Sequence, residues 1–596
     1  MLKQFQPLCL LFTCLLLVLS ACTSPPSTPT HDAAESDSGI HDAFALQIDE
    51  LLSRLDTDNA ESLLANLQLL ENQAISSDHH GLLAYARARI YLASDDIDSA
   101  YLALNNSNIR QHQMMASLPV QVKMGLVNAE LLARRQQNLA AARQRIYLAP
   151  LLDDETAYQD NHDAIWALLS QVDSRSIDSH QYQQEQVLFQ WLQLNHIIQS
   201  SGLPLQQQVA AIDKWQQQNP WHPAARRPPA AVELLRNGAL AAPTKIAVIL
   251  PLDGKFRKHG IAIRDGLMQA YYRSGYRPLI NFYAFDELPG FIDVYQEAVY
   301  DGAELVIGPL FKEQLQELYQ YPQLPVPTIA LNRLDEPAPA EAAPAGLYTF
   351  SLSPDDEIDS VVSLASAEQR QRAIILRQSD DWARRASDIF RDQWQAAGHR
   401  ILTEGSFDAA REQSAVVQAA LNINKSKQRH RQLQWLTGLS LEFEPRRRQD
   451  VDMIMLLART EAAASIRPLL AFHYAGDIPI YATSSIYRGY ADRKTNNDLN
   501  GIRFSDMPVL IREPDTISDD YRQSPLIRFY AFGMDAFALS ERIRLMGELP
   551  ALQIHGATGR LHVASQAVVR KTDYGLFRAG LVQALPTPDA EPPVTP

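Results

Sequence analysis

Lys245-Ile-Ala-Val-Ile-Leu-Pro-Leu-Asp-Gly254 is the stretch that decides the fold. Its first six residues form a short apolar run of the length and β-branched content of a strand buried on both faces. Pro251, Asp253 and Gly254 then supply turn chemistry, and helical spacing follows over 261–272. The same alternation continues downstream. Strands are predicted at 279–285, 305–307, 328–331, 373–376, 453–457 and 478–482. Helices are predicted at 294–300, 382–397 and 462–474. Strand and helix in alternation imply right-handed crossovers and parallel sheets. The region 245–584 is too long for one sheet, so two α/β lobes are expected. The stretches 560–570 and 576–582 read as a late pair of strands, and 585–596, rich in proline, as a disordered tail.

Upstream the rhythm differs. Over 41–225 apolar residues recur every three or four positions, as in Leu63, Leu64, Leu67 and Leu70, or Leu82, Leu83, Ala86 and Ile90. Leu92-Ala93 with Ile97 and Ala100 returns loosely as Leu132-Ala133 with Leu139 and Ala142. This repeat of helical hairpins is similar to a degenerate tetratricopeptide array; the alternative is a plain helical bundle. Asn219-Pro220-Trp221-His222-Pro223 closes the helical region. The proline-marked segment 226–244, with a short helix around 232–236, is the expected linker.

The three cysteines, Cys9, Cys14 and Cys22, all lie near the N-terminus. A positive start at Lys3 and the apolar run 8–19 make a signal h-region, too short to span a bilayer. Leu19-Ser20-Ala21-Cys22 resembles the lipobox of bacterial lipoproteins. Residues 1–21 are therefore expected to be a cleaved signal peptide, with Cys22 the lipid attachment point and 22–40 a flexible stalk. Removal of Cys9 and Cys14 would leave no disulfide or thiolate metal site in the folded part. Thr23 after the acylated position implies an outer-membrane address on the periplasmic side, by that family's sorting habit.

The remaining composition is that of a globular chain: 46% hydrophobic and 21% charged. Fifty-four basic against 69 acidic residues give a net charge of −15, which disfavours nucleic-acid binding. Gly254, Gly260 and Gly266 follow the first strand at six-residue spacing, but neither a Gly-Lys-Ser/Thr nor a Gly-x-Gly-x-x-Gly pattern accompanies them. They read as turn geometry and tight helix packing. His-Glu-x-x-His, Gly-x-Ser-x-Gly and Ser-x-x-Lys are absent. His79-His80 read as bystanders on a solvated helix start, and Asp355-Asp356-Glu357 as acids favouring a helix N-terminus. No catalytic residue, metal or cofactor is expected. Arg446, Arg447 and Arg448 form a basic loop that is a candidate partner contact.

The stretch 245–254, with Ala262-Ile-Arg-Asp-Gly266, Ala303-Glu-Leu-Val-Ile-Gly-Pro309, Pro479-Ile-Tyr-Ala-Thr-Ser484, Gly501-Ile-Arg-Phe-Ser505 and Tyr530-Ala-Phe-Gly-Met-Asp-Ala536, resembles type I periplasmic binding proteins. The resemblance implies two lobes closing on a cleft. It departs where that family holds a ligand. Asp253-Gly254 stands for the usual Ser-Gly of amino-acid receptors, and Trp382-Ala383 for a Tyr-Gly pair. Asp253, Asn332 and Ser353 remain the candidates to line the cleft. The whole arrangement is a lipid-anchored chain with an all-α tetratricopeptide-like array and a two-lobed α/β domain. It resembles the outer-membrane lipoprotein activators of bifunctional class A penicillin-binding proteins. That resemblance implies a non-catalytic activator of peptidoglycan transpeptidation that works by protein contact. The alternative is a lipid-anchored solute receptor for an amino acid, peptide or cell-wall fragment.

Overall fold

The structure is a computed structural model. It describes residues 43–586, apart from 153, 173, 175–178, 201–202, 286–289, 335–342, 441 and 513–515. The signal peptide, Cys22, the stalk and the tail beyond 586 lie outside the described residues. Contacts divide the chain into two units, 1–124 and 125–596.

The first unit is built of helices, and polar caps fix where they begin. Asn59, Ser76, Asp96 and Asn106 each accept a backbone N–H three residues on, starting Ala60–Glu71, Ser77–Ala93, Ile97–Asn105 and Ser107–Met115. Small residues set the helix spacing. A Cβ at Gly81 would lie 2.7 Å from Val120 Cγ1, so the Ser77–Ala93 helix approaches its neighbour where it has no side chain.

The second unit continues with helices Asn138–Leu148, Glu155–Ser170, Gln186–Gln199, Leu205–Gln218 and Ala230–Leu240. Fifteen strands follow among the described residues. They are β1 (Lys245–Leu250), β2 (Leu279–Ala284), β3 (Leu305–Ile307), β4 (Gln323–Ala330), β5 (Ala345–Phe350), β6 (Arg372–Gln378), β7 (Arg400–Phe407), β8 (Met453–Leu457), β9 (Ile480–Ala482), β10 (Ile502–Asp506), β11 (Ile554–His555), β12 (Arg560–Ala564), β13 (Ala567–Lys571), β14 (Asp573–Arg578) and β15 (Leu581–Ala584). They form two sheets, ordered β11-β12-β13-β5-β4-β3-β1-β2 and β15-β14-β10-β9-β8-β6-β7. Strands β1 to β5 pair in parallel, as do β6 to β10, and helices lie between most consecutive strands. This is the expected two-lobed α/β fold. The late pair of strands is in fact two antiparallel hairpins, one added to each lobe. The chain passes from β13 to β14 through Thr572 alone, too short a link for both to share one sheet.

Three crossings join the lobes: after β5, after β10 and at Thr572. A hydroxyl network ties them. Thr572 Oγ1 lies 2.9 Å from Ser360 Oγ and also bonds Ser505 Oγ.

The helices from Leu139 to Ala239 share one apolar core with the first lobe, from Trp166, Leu169, Trp191 and Trp215 to Ile246, Leu267, Phe532 and Phe537. Polar ties cross the same junction. Glu541 accepts the Leu205 N–H (2.8 Å), Arg542 donates to the Leu203 carbonyl, and Arg560 donates to the Gln171 carbonyl (2.8 Å). The expected linker 226–244 is part of this packing. It holds the helix Ala230–Leu240, whose Gly238 faces Leu545 of the first lobe.

Candidate functional site

In open α/β sheets a ligand crevice lies beyond the carboxyl ends of the strands. Asp253 follows β1, Asn332 follows β4 and Ser353 follows β5, so the three sequence candidates sit at that edge of the first sheet. Two of them are engaged locally. Asn332 donates to the Leu310 carbonyl (2.7 Å) and accepts the Arg333 N–H (2.9 Å). Ser353 caps the helix Pro354–Ala367, bonding Asp355, while its carbonyl accepts from Arg570 (3.2 Å). Asp253 is exposed in the turn.

The glycines there serve packing, as the sequence suggested. Gly254 adopts φ +69°, and a Cβ at Gly260 would lie 2.2 Å from the Pro251 carbonyl oxygen. At Gly266 a Cβ would meet the Tyr530 oxygen at 1.8 Å, and at Gly533 the Ile263 oxygen at 1.9 Å. The helices Arg257–Arg273 and Ile527–Ser540 therefore touch backbone to backbone through reciprocal glycines.

Sequence reasoning missed the charged groups that close the region between the lobes. Arg570, fully buried, donates to Asp356 (3.0 Å). Arg528 grips Asp506 (2.5 and 3.2 Å) and the Tyr487 carbonyl (2.9 Å). Glu357 accepts from the backbone N–H and the hydroxyl of Ser484, both at 3.0 Å. Burial, helped by the Asp506 charge, pushes the Glu357 carboxyl above the usual range. Burial also raises Asp356, against the pull of Arg570. Asp356 and Glu357 read as helix-start acids; their arginine and serine partners come from residues 214 and 127 positions away, a pairing no local pattern reveals. Apart from the exposed Asp253, each polar group of the cleft named here answers another protein group. Such a joint is built to hold its own two lobes.

The other candidates are also relocated. Arg447 pairs with Asp477 (2.6 Å) and Arg448 with Asp450 (2.7 Å), so only Arg446 of the basic triplet extends an exposed side chain. His79 is not solvated: it is buried and stacked on Phe44 at 4.0 Å. His80 packs beside His112 instead (4.3 Å). Among the described residues no three His, Cys, Asp or Glu side chains gather as a metal site.

The family model described as LppC putative lipoprotein matches residues 38–580. The chain belongs to this family. The LppC member described here is similar to the "Penicillin-binding protein activator LpoA" of Photobacterium profundum, 28% identical over 486 residues, covering 78% of this chain and 76% of that one. It is also similar to the protein of the same name from Vibrio cholerae, 25% identical over 586 residues, covering 93% and 95%. The crystal structure of full-length LpoA from Haemophilus influenzae superposes with a TM-score of 0.51 at 19% identity, covering 90% of this chain and all of that one, and so shares its fold. LppC membership makes the chain a lipoprotein. No helix among the described residues is long and apolar enough to cross a membrane.

Proposed function

We propose that the protein is a non-catalytic activator of a bifunctional class A penicillin-binding protein, held to the outer membrane through acylated Cys22 with 22–40 as its stalk. The observation that carries this reading is the similarity, over nearly the whole chain, to the penicillin-binding protein activator of Vibrio cholerae. The cleft supports it, because Asn332, Ser353, Glu357, Arg528 and Arg570 bind protein groups rather than standing ready for a solute. Physically, an activator must bind the active conformation of its synthase more tightly than the inactive one. A tenfold rate gain from a population shift needs about 1.4 kcal/mol of difference.

The test mixes the soluble chain starting at Thr23 with purified synthase and lipid-linked substrate, and counts peptide cross-links. Cross-linking should rise severalfold. Unchanged cross-linking together with no measurable binding would overturn the reading. Calorimetry against amino acids, peptides and cell-wall fragments addresses the receptor alternative, which a ligand bound below about 10 μM would restore.

A further inference from the structure

The helix Ile423–Thr437 is held to the second lobe at its base and little elsewhere. Ile423 and Ser426 are its only buried residues. Gly438, at φ +68°, ends the helix, and the chain then returns toward the lobe. Phe443 stacks on His430 (4.1 Å, 11°), the Arg446 N–H donates to Ser426 Oγ (3.1 Å), and the Arg448 N–H donates to the Leu421 carbonyl (2.9 Å). Helix and return segment form an arm fixed at its foot, where Arg447 and Arg448 are neutralised by Asp477 and Asp450.

The far end of the arm is apolar and uncovered. Trp435 is 83% exposed, Leu436 70% and Leu439 63%. Single exposed apolar residues are ordinary, but a tryptophan with leucines at one projecting tip marks a contact surface, and tryptophan leads among residues that dominate such contacts. Below the tip, the helix carries Lys425, Lys427, Arg429 and Arg431 and no acidic residue, in a chain of net charge −15. Among the described residues no carboxylate pairs with these four; Lys427 donates to the Gln418 side-chain oxygen.

We propose that this arm docks on a protein whose surface offers an apolar socket rimmed by carboxylates. The inference rests on the activator reading, so that partner is the periplasmic part of the synthase. Complementary charge brings the rim to the basic helix, and burial of Trp435 and its leucines supplies the anchor. A membrane surface fits less well. An interfacial helix carries its apolar residues along one side, whereas here they are gathered at one end. Exposed Glu442 and Glu444 flank Phe443 on the return segment, where anionic lipid would repel them.

The experiment uses the full mature chain in detergent and immobilised synthase. The double variant Trp435→Ala/Leu436→Ala should bind about 30-fold more weakly while melting at the wild-type temperature. Arg429→Glu/Arg431→Glu should lower the association rate about tenfold at low salt, and the difference should vanish near ~0.5 M salt. Trp221→Ala, an equally exposed tryptophan (81%) elsewhere, should bind as wild type. If the wild type binds and activates but the tip variant does so equally, the arm assignment falls and the activator reading stands. If the wild type neither binds nor activates, both fall. Trp435-dependent binding to vesicles of phosphatidylethanolamine with phosphatidylglycerol, with synthase binding unchanged, would overturn the proposal in favour of a membrane contact.

Discussion

The two lobes share one plan and differ in what surrounds them. Each is a parallel core extended by antiparallel strands on one side, β13, β12 and β11 in the first lobe, β14 and β15 in the second. The first lobe shares its apolar core with the helices that precede it, and Leu139, Trp191 and Trp215 belong to the same cluster as Ile246 and Phe532. The second lobe fills separate cores, around Ile454 and Phe504 and around Trp394 and Tyr481, with Tyr530 of the helix Ile527–Ser540 reaching into the first of them, and it sends an arm outward. One architecture thus serves as structural base on one side and as presenting surface on the other. The fold does not decide which; the neighbours do.

Four substitutions can break or sharpen that contrast. The largest effect is expected where the first lobe's helices touch. Gly266→Val would drive a side chain into the Tyr530 carbonyl, backbone against backbone, and should cost about 4 kcal/mol or more. Loss of soluble folded protein, or a collapsed thermal melt, is the readout. Next is the junction between helices and lobe. Arg542→Met strands buried Glu541 and the Leu203 carbonyl, and should cost about 3 to 5 kcal/mol. If the helices and first lobe are one cooperative unit, tryptophan fluorescence and far-UV signal must shift together; separate transitions would refute the shared core.

A smaller effect should come from acid. His222 Nδ1 accepts the Ala224 N–H and its Nε2–H donates to the Val187 carbonyl, so only the neutral ring fits. Burial lowers its pKa from 6.5 to about 4. The unfolded chain then takes up a proton below 6.5 that the folded chain refuses until about 4. Stability is therefore complete above 6.5 and falls as the pH drops toward 4, by up to about 3 kcal/mol. Urea unfolding at about pH 7 and about pH 4.5 should show this slope, and His222→Phe should flatten it. Smallest of all, Arg447→Ala in the second lobe breaks a pair with an exposed Asp477 and should cost under about 1 kcal/mol.

Much of the fold was legible because parallel strands buried on both faces are continuous apolar runs. β1, β3 and β8 fall on the very residues expected, and each is almost wholly apolar. β4 starts five residues earlier than the pattern suggested. Pro325 and Pro327 disguise that start, and they fall where its pairing with β5 is irregular. The edge strand β7, Arg-Ile-Leu-Thr-Glu-Gly-Ser-Phe, has no such run and was not foreseen. Asp253, Asn332 and Ser353, candidates to line the cleft, follow strands β1, β4 and β5, and the local bonds of Asn332 and Ser353 were invisible in the sequence. The arm was missed for a different reason. Leu433, Trp435 and Leu436 carry no motif that marks a contact surface, and only the structure reveals that they are exposed.

The junction between the helices and the first lobe also sets an order of arrival. Its bonds join residues far apart in the chain: Leu203 with Arg542 is 339 residues, Gln171 with Arg560 is 389. Strands β12 and β13, which extend the first sheet, are made after strands β6 to β10 of the second lobe. A chain emerging from its N-terminus therefore leaves the surface around Gln171 and Leu203 unmet until Arg542 and Arg560 appear. Closure across such distances is slow, and the waiting surface is prone to aggregate. Truncation near residue 540 would accordingly not trim an appendage: it would strip the helices between 138 and 240 of Glu541, Arg542 and Arg560, which tie them to the first lobe.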